Sequence, residues 1–272
     1  MKQKGPPVLI GLAGGSGSGK TFLARQIQVE AGADSVALLG MDQYFRPRQN
    51  DDDDTRVNFD HPAYIDFRAL IRDIKSLRIR KKVLAPSYDF LTQTSQPKSI
   101  EVEPRDIVIV EGLFVLAQPV HKLFDLTCFL DVAPDQRLLG RILRDNAERG
   151  AGLAEIVDRY QRYVRPAYDV FVAPTMHNAD VVVDFTYRRA MFTAMLAHMA
   201  SDYSKGVLDL QRLIESVKQE SFHMGYRPEQ GIMPITADIF QLAKAYPPTL
   251  LPTGVPTQQP SEPRLFIHNH TK

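Results

Sequence analysis

Short apolar runs alternate with amphipathic segments between residues 8 and 184 of the chain. One run, Ile107–Val110, is continuously apolar and bounded by charged residues, which is typical of a strand buried on both faces. The apolar runs predict strands at Val8–Ala13, Val36–Leu39, Ile107–Val110, Thr127–Asp131 and Val181–Asp184. The amphipathic segments predict helices at Thr21–Glu30, Ile65–Leu77, Pro134–Arg149 and Leu153–Val172. Strands that alternate with helices predict an α/β fold, in which a mostly parallel sheet carries helices on both faces.

Beyond this region the chain carries a long apolar stripe and then a proline-rich stretch. Apolar residues recur every three or four positions over Phe192–Val217, which predicts a helix, or a pair of helices broken at Gly206. A short helix is predicted at Ala237–Ala245. Six of the 19 prolines lie between Pro247 and Pro263, a density that predicts an unfolded tail. We therefore divide the chain into an N-terminal tail (1–7), one domain (8–188), a helical extension that packs on it (189–246) and a tail (247–272).

The composition excludes several classes of protein. The 272 residues include 33 basic and 32 acidic side chains, and this balance argues against a protein built mainly to hold nucleic acid. The single cysteine, Cys128, excludes an intramolecular disulfide framework. No apolar run is long enough to span a membrane, and no signal peptide is evident, so we expect a cytoplasmic protein that binds neither nucleic acid nor membrane.

A glycine-rich segment between the first predicted strand and helix has the pattern G-x-x-x-x-G-K-[ST]. Its residues are Gly14, Gly15, Ser16, Gly17, Ser18, Gly19, Lys20 and Thr21. Glycines at such a turn let backbone N–H groups surround a phosphate, and the helix N-terminus adds partial positive charge. Lys20 is expected to reach the terminal phosphates, and the Thr21 hydroxyl is expected to hold Mg²⁺. The chain lacks the N-K-x-D motif of GTPases and the signature of transport ATPases, so the segment favours a small-molecule kinase.

Two carboxylates follow predicted strands at the edge of the sheet where ligands bind. Asp42 follows Val36–Leu39, and Glu111 follows Ile107–Val110. A carboxylate placed there can accept the proton of an attacking hydroxyl or help to hold Mg²⁺. We expect both strands to be neighbours of the strand that precedes the glycine-rich segment.

Several motifs occur in an order that carries a resemblance over about Val8–Asp184. They are Gly14–Thr21, Asp42–Arg46 (DQYFR), Asn58–Pro62 (NFDHP), Pro86–Phe90 (PSYDF), Glu111–Gly112, Asp131, Arg137–Leu138, Arg141–Ile142, Arg144–Asp145, Glu148–Gly150, Arg165–Pro166, Pro174–Thr175 and Ala179–Asp180. In this order they resemble the uridine kinase branch of the phosphoribulokinase/uridine kinase family. The combination of NFDHP with PxYDF is fairly specific to the nucleoside kinases of that family.

The resemblance implies an ATP- or GTP-dependent phosphorylation of the 5′-hydroxyl of uridine or cytidine, as in pyrimidine nucleotide salvage. By position, Asp42 is then the general base, and Thr21, Asp42 and Glu111 surround Mg²⁺. The resemblance also implies that Asp60 binds the ribose hydroxyls and that Tyr88 lines the nucleoside pocket. It further implies a β-hairpin over Pro86–Glu103 that covers the nucleoside, and an enzyme that is often a homotetramer. On chemical grounds, Gln93 is expected to offer an amide edge to the base.

An arginine-rich segment is expected to form a lid over the phosphates. Between Gln136 and Arg165 the chain has seven arginines and no lysine, and they are Arg137, Arg141, Arg144, Arg149, Arg159, Arg162 and Arg165. Guanidinium groups offset the charge that develops on a transferred phosphate. The position match assigns Arg144 to catalysis with Lys20, and it assigns Arg141 and Arg149 to the acceptor side of the lid. Gly150 and Gly152 are expected to act as its hinge, and Arg159 and Arg162 to form surface ion pairs with interleaved acidic residues.

Three positions depart from the uridine kinase pattern. The histidine and arginine of the family's PxYDFxxHxR hairpin fall on Gln93 and Ser95, and the last arginine of its ERGR motif falls on Ala151. All three belong to the acceptor side or the lid. A different acceptor therefore stays open, with a phosphoribulokinase-like sugar phosphate kinase as the nearest alternative. A nucleotide-binding regulator without catalysis is a third hypothesis, against which the intact Lys20 and Asp42 count.

Overall fold

A computed structural model of the protein describes residues 5–47, 58–220, 223–224 and 238–245, and its centre is a six-stranded parallel sheet. The strands of this sheet are β1 (Val8–Gly14), β2 (Val36–Gly40), β5 (Ile107–Glu111), β6 (Leu126–Asp131), β7 (Val181–Asp184) and β8 (His223–Met224), in the spatial order β2-β5-β1-β6-β7-β8. β3 (Val83–Asp89) and β4 (Thr94–Val102) form a separate antiparallel hairpin. The predicted α/β class and the hairpin are both confirmed.

Helices connect the strands and follow the last long strand. They are α1 (Lys20–Ala31), α2 (Phe67–Arg78), α3 (Pro134–Arg149), α4 (Leu153–Arg159), α5 (Arg165–Ala167), α6 (Phe185–Ser204), α7 (Leu210–Glu220) and α8 (Ile239–Ala245). Two π-helical stretches, Tyr160–Val164 and Tyr168–Val172, make the chain helical from α4 through α5. The predicted break at Gly206 is confirmed, because this glycine has φ 73° and separates α6 from α7.

The sheet separates two apolar clusters, because successive side chains of a strand point to opposite faces. In β1, Leu9 and Ala13 belong to the cluster under α2, whereas Ile10 and Leu12 belong to the cluster under α1 and α6. Phe192 of α6 is buried in that second cluster. The extension therefore packs on the sheet in its described part, as expected from its apolar stripe.

The beginning of α2 differs from the sequence prediction. Ile65 lies outside the helix and pairs with Phe45 in an isolated antiparallel bridge. The helix begins at Phe67 because Asp66 accepts a hydrogen bond from the Ala69 N–H at 3.0 Å and so caps it.

Other predictions about the ends of the chain stay predictions. The domain limits are untested, and the proline-rich tail at residues 247–272 lies outside the described residues. No helix among those residues is long and apolar enough to cross a membrane.

Candidate active site

The glycine-rich segment forms a loop that ends in the first turn of α1, as its sequence predicts. Gly17 and Gly19 have φ values of 81° and 87°, a backbone region that favours glycine. The Ser18 N–H donates to the Gly15 carbonyl at 3.1 Å, which closes the loop. The Lys20 ammonium donates to the same carbonyl at 3.0 Å, so the lysine lies across the loop's concave side. Burial lowers the pKa of Lys20, and the nearby Glu111 and Asp42 oppose that effect.

Helix α3 packs directly on this loop. A Cβ at Gly140 would lie 2.6 Å from the Gly17 carbonyl oxygen, so only glycine permits this approach. Arg137 is 2% exposed, and its guanidinium carbon lies 3.5 Å from the centroid of the Tyr168 ring. In the described part of the chain, Ser18 Oγ, Arg137 Nη1 and Arg141 Nε are buried without a hydrogen-bond partner. Buried polar atoms without partners are costly, and phosphate oxygens are suitable acceptors for all three.

Two carboxylates converge beside the loop. The Thr21 hydroxyl donates to Glu111 Oε1 at 2.9 Å. Burial, and secondarily the charge of Asp42, raise the pKa of Glu111 to about 7. Asp42 lies in a single turn of 3₁₀ helix, Met41–Tyr44, that follows β2. Its half-buried side chain is thus close enough to Glu111 and Lys20 to perturb both.

β2, the strand that precedes Asp42, lies one strand farther from the glycine-rich loop in the sheet than the sequence analysis predicted. β5 pairs directly with β1, but β2 pairs with β5 on its other side. The expectation that both strands adjoin β1 is therefore wrong for β2. The two carboxylates still meet because β2 and β5 are in parallel register, with Gly40 opposite Glu111.

An aromatic cluster faces the acceptor side of the site. Phe45, Phe59, Tyr88 and Phe90 come from three separate segments, and their ring centroids lie 5.0–6.5 Å apart where they contact one another. Tyr88 lies in β3, opposite Ser95 of β4. Flat apolar rings of this kind suit a nucleobase or the apolar face of a sugar.

Some polar residues around this cluster form turns, and others can bind a ligand. Asp60 is 9% exposed, and its N–H donates to Asn58 Oδ1 at 3.1 Å. His61 is fully buried, and its Nδ1 accepts from the Ala63 N–H at 3.1 Å, so it shapes the turn. Gln93 occupies the hairpin turn at φ 54°, in the left-handed region. Asp60 is thus the carboxylate that this part of the site offers to a ligand.

The arginines of the lid are organised around one buried carboxylate. Asp145 is within ion-pair distance of Arg141, Arg144 and Arg149, at 3.1, 2.8 and 3.4 Å. Arg141 also donates to Ser16 Oγ at 2.6 Å and lies 3.7 Å from Asp60 Oδ2. It therefore joins the glycine-rich loop, the lid and the acceptor side.

The remaining arginines of the lid contact an acidic residue or aromatic rings. Arg162 forms the expected surface pair with Asp158 at 2.7 Å. The guanidinium carbon of Arg159 lies 6.0 Å from the centroid of the Phe59 ring, and that of Arg149 lies 4.1 Å from the centroid of the Phe90 ring. Gly150 ends α3 at φ 64° and a Cβ there would meet open space, as it would at Gly152.

Sequence reasoning assigned no individual role to some residues that the structure brings into the site. They are Arg137, Asp145, Phe45 and Phe59. The sequence carries a signal that Asp145 pairs with arginines, because this residue lies four residues after Arg141 and four before Arg149. The structure buries this aspartate, which is 4% exposed.

Comparisons with known proteins identify the family of this chain. A family model described as "Phosphoribulokinase / Uridine kinase family" matches residues 9–191. Uridine kinase of Staphylococcus aureus (strain JH9) is 38% identical over 178 residues, which are 64% of this chain and 86% of that protein, and the uridine kinase of strain Newman gives the same figures. A solved structure from Silicibacter sp. TM1040, proposed to be a fructose transport system kinase, has a TM-score of 0.53 at 19% identity. The matched region covers 66% of this chain and 88% of the Silicibacter chain, and a likeness at this identity shows only the fold. The chain belongs to the phosphoribulokinase/uridine kinase family, and it is a phosphotransferase that acts on a hydroxyl group.

Proposed function

We propose that the protein transfers the γ-phosphoryl group of ATP to the 5′-hydroxyl of uridine or cytidine, the reaction that serves pyrimidine salvage. The contacts of the Arg141 guanidinium are the main support for this proposal. One guanidinium reaches Ser16 in the phosphate loop and Asp60 beside the aromatic cluster. A triphosphate bound to the loop and a nucleoside held at Asp60 would therefore meet at that guanidinium.

The donor half of the site fits a triphosphate. The loop leads into the start of α1, where a helix N-terminus favours an anion, and Lys20 donates to the Gly15 carbonyl of the same loop. The unpartnered Ser18 Oγ and Arg137 Nη1 add donors that a phosphate would satisfy. ATP and GTP both carry this triphosphate, and the direct comparison of the two donors belongs in the first assay.

The residues beside the loop also fit Mg²⁺. Thr21 Oγ1, the Glu111 carboxylate and the Asp42 carboxylate are hard oxygen donors. Among the described residues, no group of three His, Cys, Asp or Glu side chains forms a metal site by itself. That suits a site in which one or two carboxylates share the ion with substrate phosphates. When bound, Mg²⁺ would offset charge on the β- and γ-phosphate oxygens.

Asp42 is the group placed to accept a proton. In the proposed step the 5′-oxygen bonds to the γ-phosphorus, the bond from that phosphorus to the bridging oxygen of ADP breaks, and the hydroxyl proton passes to Asp42. Burial and the nearby charge of Asp42 raise the pKa of Glu111 to about 7, so this carboxyl binds a proton more readily than an exposed one does. Lys20, whose charge interacts with Glu111 and Asp42, and Arg144, whose charge interacts with Asp42, would balance the negative charge of the transferring group.

The acceptor half favours a nucleoside over a sugar phosphate. The half-buried rings of Phe59 and Tyr88, which pack on the buried Phe45, would contact a planar base, and Asp60 would offer a carboxylate to the two ribose hydroxyls. Gln93 would supply a donor and an acceptor to the pyrimidine edge from the hairpin turn. Ser95 stands opposite Tyr88 and adds no charge. Homotetramer formation stays a prediction of the family resemblance, and a cytoplasmic location stays a prediction of the sequence analysis.

Acceptor-dependent release of ADP from ATP, or of GDP from GTP, by the purified protein tests this function. Uridine, cytidine, ribulose 5-phosphate and buffer are compared with Mg²⁺ and either ATP or GTP. Asp42→Asn serves as the inactive enzyme, and Asp34→Asn as the matched control, because the Asp34 side chain is 99% exposed. Turnover with uridine or cytidine alone supports the proposal. Turnover only with ribulose 5-phosphate, or ATP binding without turnover on any acceptor, would contradict it.

A further inference from the structure

The lid contains one carboxylate that contacts three arginines at once. Asp145 Oδ1 accepts from Arg144 Nε at 2.8 Å and lies 3.4 Å from Arg149 Nη1, while Oδ2 lies 3.1 Å from Arg141 Nη2. Both carboxylate oxygens are therefore engaged, and each of the three guanidiniums is held at a defined atom.

Helical spacing explains how one short side chain reaches all three partners. Arg141 and Arg149 lie four residues before and after Asp145, one turn away in each direction, and Arg144 is its neighbour in sequence. Burial alone would raise the pKa of Asp145, but the three arginines outweigh burial and hold that pKa below its ordinary value. The carboxylate is thus charged at neutral pH although it is 4% exposed.

A carboxylate beside a phosphate site has a cost, because it repels the anion that the site binds. Three unpaired guanidiniums would attract a triphosphate more strongly, but they would also repel one another and adopt many rotamers. The arrangement here gives up part of the attraction and fixes the direction of each guanidinium. Phosphoryl transfer depends on such positioned charge more than on total charge.

We propose that Asp145 is a positioning residue that aims Arg141, Arg144 and Arg149 at the transferring phosphate. This inference rests on the proposed kinase function, and Asp145 itself touches neither the donor nor the acceptor. Arg141 also donates to Ser16 of the phosphate loop, and Arg149 also packs on the Phe90 ring of the hairpin. Fixing these two arginines therefore also fixes the lid against the loop and the hairpin. The same carboxylate thereby sets the relation of the lid to both halves of the site.

The test compares Asp145→Asn with Asp158→Asn. The second pair, Asp158 with Arg162, has the same i,i+4 spacing and a distance of 2.7 Å, but both of its side chains are more than half exposed. Steady-state kcat and KM are measured with the best acceptor. Dissociation constants for MgATP and MgADP are measured by calorimetry, and their ratio reports on the γ-phosphate without any acceptor.

Asp145→Asn is expected to lower kcat about 100-fold, the loss that a 1 Å displacement of a positioning group can cause, and to change the KM for the acceptor little. The preference for MgATP over MgADP should fall about tenfold, the value of one lost charge-assisted hydrogen bond to the γ-phosphate. Asp158→Asn should leave both quantities unchanged. A second variant, Asp145→Ser, keeps a small polar group and should give the same losses if packing is not their cause.

Two results would overturn the proposal. Tighter binding of MgATP by Asp145→Asn with undiminished kcat would show that the carboxylate competes with phosphate for the arginines. Equal losses of MgATP and MgADP affinity in both Asp145 variants would show that the residue only maintains the fold. If the parent protein binds MgATP but phosphorylates no nucleoside, the proposed acceptor fails, while the MgATP/MgADP ratio still decides the role of Asp145.

Discussion

Replacing Glu111 by Gln is expected to stabilise the protein at pH 8 while it removes activity. Burial and the nearby Asp42 raise the pKa of Glu111 from its ordinary value of 4.5 to about 7. A tenfold change in proton affinity corresponds to about 1.4 kcal/mol, so the ionised carboxylate costs the folded protein about 3 kcal/mol above pH 7. Gln has nearly the same shape, and its side-chain oxygen can still accept from the Thr21 hydroxyl.

The direction of the pH dependence follows from the same values. Between pH 4.5 and about 7 the folded protein binds the Glu111 proton more tightly than the unfolded chain does. The stability that this group contributes is therefore fully present below pH 4.5 and is lost as the pH rises through about 7. Gln does not ionise, so Glu111→Gln should raise the free energy of unfolding by about 3 kcal/mol at pH 8 and by less than about 1 kcal/mol at pH 5.

Urea unfolding at pH 5 and pH 8, with EDTA present, measures this difference. Glu101→Gln is the control, because Glu101 is half exposed in a surface pair with Lys82 and should show no such pH effect. A gain in Glu111→Gln that is equal at both pH values, or a loss at pH 8, would refute the assignment of a raised pKa to Glu111. Kinase activity that survives in the same variant would refute its proposed role toward Mg²⁺.

Three further predictions concern single residues. Asp42→Asn should leave MgATP affinity nearly intact and lower kcat by a factor of about 10² to 10⁴, which is the usual contribution of a general base to the rate. Stopped-flow assays measure both quantities. Gly17→Ala should weaken MgATP binding by more than about tenfold, because its φ of 81° disfavours alanine and the added Cβ would collide with the Arg137 carbonyl; calorimetry that finds parental affinity would contradict this. Cys128 is fully buried and its thiol pKa is raised to about 12, so a thiol reagent should modify it only after unfolding, and rapid labelling of native protein would show that the strand opens.

The sequence predicts the elements of the site whose signals are local. The phosphate loop is specified by glycines that need unusual backbone angles and by the strand and helix on either side. The break at Gly206 is likewise visible in a short segment, whereas the hairpin over Pro86–Glu103 was expected from the family resemblance. These predictions are confirmed within a few residues.

Features that depend on tertiary packing were less accessible. Nothing in the apolar runs distinguishes a strand beside β1 from one beside β5, so the place of β2 required the structure. The burial of Asp145 depends on how α3 lies on the phosphate loop, and that approach depends on Gly140, whose sequence context is an ordinary helix. The left-handed backbone of Gln93 has no local signal either, since glutamine rarely adopts it.

The most direct test of the proposed reaction compares uridine with 5′-deoxyuridine. Both carry the base and the ribose hydroxyls that the aromatic cluster and Asp60 are proposed to bind, but only uridine has the acceptor hydroxyl. Phosphorus NMR of the reaction with MgATP should show uridine 5′-monophosphate from uridine, and 5′-deoxyuridine should inhibit without being phosphorylated. Phosphorylation of 5′-deoxyuridine at another hydroxyl, or no product from either uridine or cytidine, would contradict the assignment of this site to a pyrimidine nucleoside.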